Sequence, residues 1–425
     1  MSEDEAINQK ALDIHSRYRG KVGIGIKVPI TGLSDFKYLY TPGVAEPSRR
    51  IAANADLVYE FTNKGNSVAI VTDGSRVLGL GDIGPLASLP VMEGKALLFK
   101  YLGGVDAFPL CVKAETSEEL VDVVRRIAPS FGGINLEDIE SPKCFEVYDS
   151  LRDSLGIPVL HDDQHGTATV VLAGVINSLR LVGKKLSEAR IIVIGAGAAG
   201  LTCSKLLLKA GASGRNLIVC DSRGTLYEGR GYMEKYKSNV AKSTNLDRIQ
   251  GTVETALIGA DVMIGVSKPG PWIPKEWIGK MAQDPVVFAL ANPTPEIWPK
   301  DAIEAGAKVM ATGRSDFPNQ INNSLAFPSI FRGLLEVRAS GISDDVLIAA
   351  ANAIAGSVES TLSPDMIVPS MEQVQVFIDT ALAVARTAMA TGLARHAWNE
   401  SELRGVIQKK IGRARRAISG LARQG

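Results

Sequence analysis

The sequence predicts an α/β fold of two domains, and three observations lead to this prediction. Short apolar runs at 106–113 and 131–140 flank the helical pattern SEELVDVVRRIA, which gives a strand-helix-strand order. A second strand, turn, helix and strand follow over 190–221, and further apolar runs come after them. Because strands joined by helices lie parallel, we expect parallel sheets. The predicted divisions are 1–160 for an N-terminal α/β domain, 161–400 for the second domain and 401–425 for a basic C-terminal helix or tail.

Composition and charge exclude several classes of protein. Hydrophobic residues make up 45% of the chain and charged residues 22%, and the net charge is +1, so no global field draws the chain to nucleic acid or an anionic membrane. The N-terminus MSEDEAINQK is unlike a signal peptide, and no apolar run reaches about 18 residues. The four cysteines form no CxxC pair, which disfavours a disulfide framework and a zinc site. We therefore predict a cytoplasmic protein without nucleic-acid or membrane partners.

The N-terminal part carries an aromatic candidate, Tyr40. Residues 5–19 favour a surface helix, and GKVGIGIKVPI after them favours an extended arm. Thr41-Pro42-Gly43 is turn chemistry and precedes a helical pattern. Tyr40 therefore lies on a loop at a helix entrance. Taken alone, it is most simply a packed aromatic residue whose hydroxyl has a hydrogen-bond partner.

The next segment contains a turn and a glycine pattern. Asp73-Gly74 between two apolar runs predicts a hairpin. Arg76 follows this turn, and taken alone it is most simply a solvent-exposed charge. Residues 79–84, GLGDIG, match the spacing G-x-G-x-x-G. We reject a dinucleotide role for them, because that role requires a strand, a turn and a helix, whereas here a hairpin precedes and Pro85 follows.

Lys95 lies on the helix predicted after Pro90, with apolar neighbours on its C-terminal side. A lysine with little water around it has a lowered pKa and can act as a base. The alternative for a single helical lysine is a surface charge whose stem lies along the helix.

Carboxylates follow two predicted strands. Glu137 and Asp138 end one short apolar segment, and Asp162 and Asp163 follow the run Ile157 to Leu160. Glu137, Asp138 and Asp163 form an oxygen-only ligand set that suits Mg²⁺ or Mn²⁺ rather than zinc. For each acid singly, helix capping is the alternative. His161 and His165 flank the acids and receive no assignment.

A glycine-rich turn gives the clearest cofactor signal. Arg190 to Ile194 form an apolar strand, GAGAAG turns, a helix follows, and Asp221 ends the next strand. Within this strand-turn-helix order, Gly195 permits the tight turn, Gly197 lets the backbone approach a pyrophosphate, and Gly200 permits close helix packing. We predict a Rossmann-type dinucleotide-binding domain, with a purely structural turn as the alternative. The turn residues assigned to the cofactor are Gly195, Ala196, Gly197, Ala198, Ala199 and Gly200.

The remaining candidates lie in the C-terminal half. Asn292 falls just past a strand, at the edge where open α/β sheets bind ligands. Asn322 and Asn323 stand in a polar segment beside an apolar Phe-Pro sequence, so they belong either to a surface loop or to a site. The tail from Ser401 carries seven Lys or Arg against one acid. We interpret it mainly as a solvated amphipathic helix.

From about residue 15 to 400, the sequence resembles the malic enzymes in their short prokaryotic form. The resemblance is carried by several segments in a fixed order, which are YTPGVA from Tyr40, SRVLGLGDIG from Ser75, MEGKA around Lys95, NLEDIE, HDDQHGTA, GAGAAG, ANPTPE and NQINN. It implies oxidative decarboxylation of (S)-malate to pyruvate and CO₂ with reduction of NAD(P)⁺, a required Mg²⁺ or Mn²⁺ ion, and a homodimer.

The resemblance also implies roles for single residues. Lys95 is similar to the general base that removes the C2 hydroxyl proton, aided by Asp162, and Tyr40 to the general acid that protonates C3. Glu137, Asp138 and Asp163 match the metal ligands. Arg76, Asn292 and Asn323 match contacts to malate or nicotinamide, and the cofactor set includes Asn292 and Asn322.

The sequence leaves open the choice between NAD and NADP, and it leaves two other reactions as alternatives. Asp221 is expected to bind a ribose 2′-hydroxyl and favour NAD, whereas Ser222 and Arg223 directly after it can receive the 2′-phosphate of NADP. We lean to NADP, because a D-S-basic segment resembles that of NADP users. The alternatives are a malolactic-type enzyme that yields lactate and a metal-dependent oxaloacetate decarboxylase. A non-catalytic nucleotide sensor is disfavoured by the lysine, tyrosine and acid set.

Overall fold

The computed structural model describes residues 3–421 and contains two sheets. The first sheet has the strand order β2-β1-β3-β4, and every neighbouring pair is parallel. The β1, β3 and β4 runs are buried throughout, as expected for a parallel sheet covered on both faces. Its strands are β1 Ser67–Thr72, β2 Asp106–Cys111, β3 Gly133–Leu136 and β4 Val159–His161.

Within the described residues, seven α-helices accompany the first sheet. The predicted helix before β3 is confirmed as α6, whose N-terminus is capped by the Thr116 hydroxyl and which buries Leu120 and Val124. The helix that carries Lys95 begins at Gly84, earlier than predicted, and contains Pro90. The helices are α1 Glu3–Tyr18, α2 Phe36–Leu39, α3 Ala45–Ala53, α4 Val58–Phe61, α5 Gly84–Gly103, α6 Ser117–Ile127 and α7 Lys143–Leu151.

The hairpin predicted at Asp73-Gly74 is wrong. These residues follow β1 directly, and Gly74 has a φ of +73°, but β1 pairs in parallel with β2 and β3. Only an isolated bridge joins Val77 and Gly81. Asp73 and Gly74 instead form the turn at the end of a parallel strand. An Asp-Gly turn has the same local geometry whether or not an antiparallel strand follows it, so the dipeptide alone does not distinguish the two cases. The loop then leads into α5.

The second sheet has the order β10-β9-β8-β5-β6-β7, in which only the short β7 is antiparallel. Strand order reverses beside β5, and open α/β sheets bind ligands at such a point. The predicted α/β architecture with a Rossmann-type second domain is confirmed. The strands are β5 Ile191–Ile194, β6 Leu217–Asp221, β7 Gly224–Thr225, β8 Val262–Gly265, β9 Val286–Ala289 and β10 Val309–Thr312.

The C-terminal helices complete one core that includes side chains from both sheets. The last of them, α17, buries Leu403, Ile407 and Ile411 at helical spacing. The bounds are α8 Thr167–Leu181, α9 Ala198–Lys209, α10 Lys235–Ala241, α11 Val253–Leu257, α12 Lys275–Ile278, α13 Pro299–Glu304, α14 Phe327–Glu336, α15 Asp344–Gly356, α16 Val374–Ala390 and α17 Glu400–Leu421.

Residues 401–421 of the basic tail therefore form an amphipathic helix with a buried stripe, and the last four residues of the predicted tail, which include Arg423, lie outside the described part of the chain. The helix packs closely on the end of α5, since a Cβ atom at Gly104 would lie 2.9 Å from the Lys410 carbonyl oxygen. The Lys410 ammonium lies 2.7 Å from Glu336, which also pairs with the buried Arg332 at 2.7 Å. Across residues 3–421, every helix is too short or too polar to serve as a membrane span.

Candidate active site

Three carboxylates meet at the carboxyl-end edge of the first sheet. Glu137 and Asp138 follow β3, and Asp163 follows β4, its hydrogen-bonded neighbour. One oxygen of each carboxylate lies within 4.8 Å of the others. The Asp138 backbone N–H also donates to Asp163 Oδ2 at 3.1 Å. The structure thus brings the predicted ligand set together, close enough for its oxygens to share one cation.

Burial disfavours the charged forms of these carboxylates. Glu137 and Asp138 are 3% and 7% exposed. Burial, followed by the neighbouring carboxylates, raises the pKa of Asp138 to about 8 and holds that of Glu137 well above its ordinary value. Among the described residues, Asp138 Oδ2 is buried without a hydrogen-bond donor. A hard divalent cation fits this set of oxygens, because it would compensate the charge and coordinate the unpaired oxygen.

Lys95 joins the acids from the opposite element, α5. Its Nζ lies 2.5 Å from Asp162 Oδ2 and 2.9 Å from Glu137 Oε1, and the residue is 9% exposed. Burial alone would lower its pKa, but the two carboxylates outweigh burial and hold the pKa above its ordinary value. The lowered pKa expected from the sequence is therefore wrong for the chain without a cation. Phe327 covers the ammonium, with its ring centroid 4.4 Å away.

Asp162 is held by a single π-helical turn, Asp162–Gly166, between β4 and α8. It is fully buried, and burial raises its pKa to about 6. A Cβ atom at Gly166 would lie 1.8 Å from Asp162 Oδ1 and 3.2 Å from Asn323 Cβ. Asn323 opens the short helical turn before α14 and is half-buried. The C-terminal half thus brings Asn323 to the same site as Lys95 and Asp162.

Arg76 and Asn292 lie at the rim and are exposed. The Arg76 backbone N–H donates to the Asp138 carbonyl oxygen at 3.0 Å, which ties the loop after β1 to the acid cluster. The same loop touches the second sheet's loops, because a Cβ atom at Gly79 would lie 3.3 Å from the Asn292 carbonyl oxygen. Loops from both halves of the chain therefore border the site.

A cavity of about 400 Å³ adjoins this rim. Asn292 and Asn322 line it together with Gly313, Arg314 and Gln320. The carboxamide oxygen of Asn322 accepts hydrogen bonds from the Ser324 backbone and hydroxyl at 2.9 and 2.7 Å. The Asn322 side-chain oxygen thus caps the turn at Ser324. The Asn322 side-chain NH₂ group is the part that can bind a ligand.

Tyr40 is not brought into the buried cluster. It follows α2, where its backbone N–H donates to the Phe36 carbonyl oxygen at 2.8 Å, and it is 68% exposed. The arm before it is exposed too, with Ile24 at 93% and Leu33 at 86%. A general acid must reach the carbon that it protonates. In this single chain, the predicted role of Tyr40 therefore has no geometric support.

The two histidines beside the acids are buried and neutral. Burial lowers the pKa of His161 to about 4 and that of His165 to about 3. His161 Nδ1 lies 3.9 Å from Asp163 Oδ2, and within residues 3–421 neither of its ring nitrogens has a hydrogen-bond partner. Among the described residues, the group of side chains that could hold a cation consists of Glu137, Asp138 and Asp163 and includes neither histidine.

The glycine turn after β5 has the geometry required to hold a pyrophosphate. Gly195 has a φ of +117°, and a Cβ there would lie 2.5 Å from the Val266 carbonyl oxygen. A Cβ at Gly200 would lie 1.7 Å from the Gly195 carbonyl oxygen, whereas Gly197 has no described atom within 4 Å of that position. Two glycines thus allow close packing, and the third leaves an open approach at the start of α9. Ala196, Ala198 and Ala199 complete the turn.

The end of β6 differs from a simple ribose site. Asp221 accepts from Arg230 Nη1 at 3.0 Å and Nη2 at 2.5 Å, and Lys237 Nζ lies 3.5 Å from it. Burial opposes the charge of Asp221, but Arg230 and the Arg223 backbone N–H outweigh burial and lower its pKa. Ser222 and Arg223 are exposed. Sequence reasoning missed Arg230 and Lys237, because nothing in the loop pattern links them to Asp221. It also missed Phe327.

Comparison with known proteins agrees with this geometry in both halves of the chain. Residues 30–152 match the family model for the malic enzyme N-terminal domain, and residues 164–389 match the one for the malic enzyme NAD binding domain. The chain belongs to the malic enzyme family. The resemblance inferred from the sequence is confirmed, and the NAD binding domain covers the GAGAAG turn.

Individual malic enzymes are similar over most of their length. The bifunctional malic/malolactic enzyme of Bacillus subtilis is 50% identical over 92% of this chain and 95% of its own. The NAD-dependent malic enzyme of Geobacillus stearothermophilus is 50% identical over 88% and 78%, and the NADP-dependent one of Halomonas elongata is 44% identical over 92% and 96%. The crystal structure of a malic enzyme from Pyrococcus horikoshii superposes with a TM-score of 0.95 at 47% identity, covering 98% of this chain and 99% of that one.

Proposed function

We propose that this malic enzyme oxidises (S)-malate at C2 and decarboxylates the product to pyruvate, with reduction of NAD(P)⁺. The observation that carries the proposal is the buried contact of Lys95 with Glu137 and Asp162 beside three convergent cation ligands. A base next to a cation site suits a hydroxyl that must lose its proton while its carbon loses a hydride. The resulting β-keto acid loses CO₂ readily when its carbonyl is polarised.

Glu137, Asp138 and Asp163 would hold a divalent cation, which supplies a Lewis acid beside the C2 oxygen when bound. The GAGAAG turn would hold NAD(P)⁺, which accepts the hydride. Side chains of the protein would carry out the remaining tasks, which are substrate binding and proton transfer. Arg76 offers a guanidinium to a substrate carboxylate, and Asn292 and Asn323 offer amides to malate or nicotinamide.

Lys95 would take the C2 hydroxyl proton, with Asp162 as its partner in proton transfer. In the chain alone, two carboxylates keep Lys95 protonated. Engagement of Glu137 as a cation ligand removes one of those two charges from Lys95, so the proton is held less tightly. Asp162, with a pKa raised by burial, can then share the proton within the 2.5 Å contact.

Tyr40 would protonate C3 of the enolpyruvate that remains after CO₂ departs. Because Tyr40 and its arm are exposed in the single chain, we propose that the arm is covered in a homodimer and that Tyr40 acts in the partner's site. Exposed apolar side chains on a continuous segment are typical of subunit interfaces. The exposed residues of the arm and of the segment between it and Tyr40 that support this proposal are Ile24, Ile26, Leu33 and Tyr38, which are 93%, 76%, 86% and 69% exposed.

The predicted domain division and compartment remain part of the proposal. The chain leaves the first sheet after His161 and enters the second at Ile191, which supports a boundary in the segment between these strands, and the proposed division at 160/161 falls at the end of β4. The segment from 401 packs on α5 through α17, and Lys410 pairs with Glu336 of α14, so we propose that this segment links the two predicted domains. The cysteines are all free thiols, which suits a reducing cytoplasm.

The reaction is tested by incubating the protein with malate, Mn²⁺ and each oxidised cofactor. We expect the absorbance of reduced nicotinamide to rise in step with pyruvate. The malolactic alternative is supported by the name of the Bacillus subtilis relative and would give lactate without net reduced cofactor. A protein that decarboxylates added oxaloacetate but never oxidises malate would instead be an oxaloacetate decarboxylase, and the proposal would fail.

Mn²⁺ is expected to stabilise the protein against heat through the three acids. At a free cation concentration about 100 times the dissociation constant, stabilisation should reach about 2.7 kcal/mol. In Asp138→Asn this gain should largely disappear, while the metal-free protein becomes no less stable, because a pKa of about 8 already keeps the Asp138 side chain mostly uncharged at pH 7 and asparagine is uncharged as well. Asparagine also tolerates the left-handed backbone of this position, where φ is +51°.

Scanning calorimetry with and without Mn²⁺ measures both effects. The matched control is Glu140→Gln, which removes an exposed acid two positions from Asp138 and should leave the Mn²⁺ response intact. An unchanged response in Asp138→Asn would remove that residue from the ligand set.

A further inference from the structure

The end of β6 holds a carboxylate whose hydrogen-bonding capacity is already engaged. Asp221 Oδ1 accepts from the Arg223 backbone N–H at 2.9 Å and from Arg230 Nη1 at 3.0 Å. Asp221 Oδ2 accepts from Arg230 Nη2 at 2.5 Å, with Lys237 Nζ at 3.5 Å. The side chains of Asp221 and Arg230 are 6% and 11% exposed, so this ion pair is shielded from water. A ribose diol would have to compete with a bidentate guanidinium for these oxygens.

Arg230 is also fixed from its other side. Its Nη1 donates to the backbone carbonyl oxygens of Gly224 and Thr225 at 3.2 and 3.1 Å. These contacts anchor the guanidinium to β7, so it is positioned by the fold and not only by Asp221. Because its position is fixed by these contacts, Arg230 stays beside Asp221 and compensates the negative charge of that carboxylate.

The balance of charge around Asp221 is positive. Arg223, Arg230 and Lys237 supply three cations against the one carboxylate of Asp221. The nearby Glu234 carboxylate is committed to the N-terminus of α10, where it accepts from the backbone N–H groups of Tyr236 and Lys237 at 3.0 and 2.8 Å. A dianionic group beside Ser222 and Arg223 therefore meets a net positive surface, although an acid ends the strand.

We infer that Arg230 is a positioning residue that masks Asp221, so that this site selects a dinucleotide with a 2′-phosphate over one with a free ribose 2′-hydroxyl. The inference rests on the proposed function for its reaction and adds the choice of NADP. Ser222 and Arg223, both exposed, are the groups that meet the phosphate. Arg223 Nη2 donates to the Tyr232 carbonyl oxygen at 2.5 Å and would exchange that contact for the phosphate.

The test is the ratio of affinities for NADPH and NADH, measured by fluorescence titration without malate. The unaltered protein should bind NADPH more tightly. In Arg230→Gln, Asp221 is unmasked and repels the 2′-phosphate, so the dissociation constant for NADPH should rise about tenfold or more. The constant for NADH should stay unchanged or fall. If Arg230 had only a structural role, its replacement would lower the affinities for NADPH and NADH to the same extent.

A second variant keeps the inference falsifiable if Arg230→Gln is less stable. The double variant Asp221→Asn, Arg230→Gln has no carboxylate at position 221 to repel the phosphate. It should therefore regain most of the NADPH affinity that Arg230→Gln loses. The matched control is Arg248→Gln, which removes an exposed arginine paired with Glu228 at 2.9 Å in the same region and should change neither constant.

Three results would overturn the inference. They are tighter binding of NADH by the unaltered protein, equal weakening of both cofactors in Arg230→Gln, and no recovery in the double variant. Because the readout is binding, these results are separate from a failure of malate oxidation. Oxidation with NAD⁺ alone would keep the proposed function and remove the NADP selection.

Discussion

Replacement of Lys95 by alanine is expected to abolish malate oxidation while cofactor binding stays near normal. Lys95 lies 2.5 Å from Asp162 and 2.9 Å from Glu137 in a buried site, and no second amine contacts these acids among the residues described. Loss of a positioned general base typically costs about 10²–10⁴ in rate. The dinucleotide turn lies on β5 and α9, so NAD(P)H binding does not depend on the lysine.

The measurement is kcat with malate at saturating cofactor and Mn²⁺, with NADPH and NADH titrations alongside. Burial already raises the pKa of Asp162 to about 6, so this acid can be neutralised when the ammonium is removed and the variant can fold. The control is Lys100→Ala on the same helix, which removes a half-exposed lysine paired with Asp106 at 2.5 Å. Loss of cofactor binding in Lys95→Ala, or a kcat within a few-fold of the original, would count against the base assignment.

An added primary amine separates chemistry from structure in the same variant. A small alkylamine can enter the space left by the lysine side chain and take the proton in its place. Partial recovery of kcat in Lys95→Ala, without recovery in Asp162→Ala, would show that the missing group is the amine itself. A lysine that only held the acids apart would give no such recovery.

The convergence of the acids was predictable because it depends on local order along the chain. Glu137 and Asp138 end one strand and Asp163 follows the next, and parallel neighbouring strands bring their carboxyl ends to one edge. The GAGAAG turn was predictable for a similar reason, because its glycines are required by backbone contacts within a few residues. Gly200 against Gly195 is the clearest of these contacts.

Features that depend on distant partners were not predictable. Lys95 meets Asp162 from 67 positions away, and this contact together with that to Glu137 reverses the direction of its pKa shift. The Asp-Gly pair at 73–74 predicted a hairpin because the turn chemistry is local, whereas the strands that pair with β1 are chosen by the sheet. Arg230 likewise reaches Asp221 through the folding of an irregular loop. Sequence reasoning therefore named candidate groups for the site, but it did not predict which charged side chains would lie in contact with one another.

Tyr40→Phe is expected to lower kcat for pyruvate formation by about 10²–10⁴, the usual effect of losing a general acid. The proposed step delivers a proton to C3, so oxaloacetate decarboxylation should slow to the same extent. Cofactor affinity should not change. The control is Tyr38→Phe, because Tyr38 lies in the same exposed segment, 69% exposed against 68% for Tyr40, and has no proposed role in proton transfer. Equal turnover in Tyr40→Phe would remove the residue from the mechanism.

Mixed dimers decide which subunit the tyrosine serves. If Tyr40 acts in the partner's site, a dimer of one Tyr40→Phe chain and one Lys95→Ala chain contains one site with both residues intact and one with neither. Two-fold symmetry then predicts about half of the original activity for the purified mixed dimer. If Tyr40 acts in its own chain, each site lacks one residue and the mixed dimer stays inactive. Since the exposed arm has no partner within residues 3–421 that would cover Tyr40, we expect the first result, and an inactive mixed dimer would refute the exchange of tyrosines between subunits.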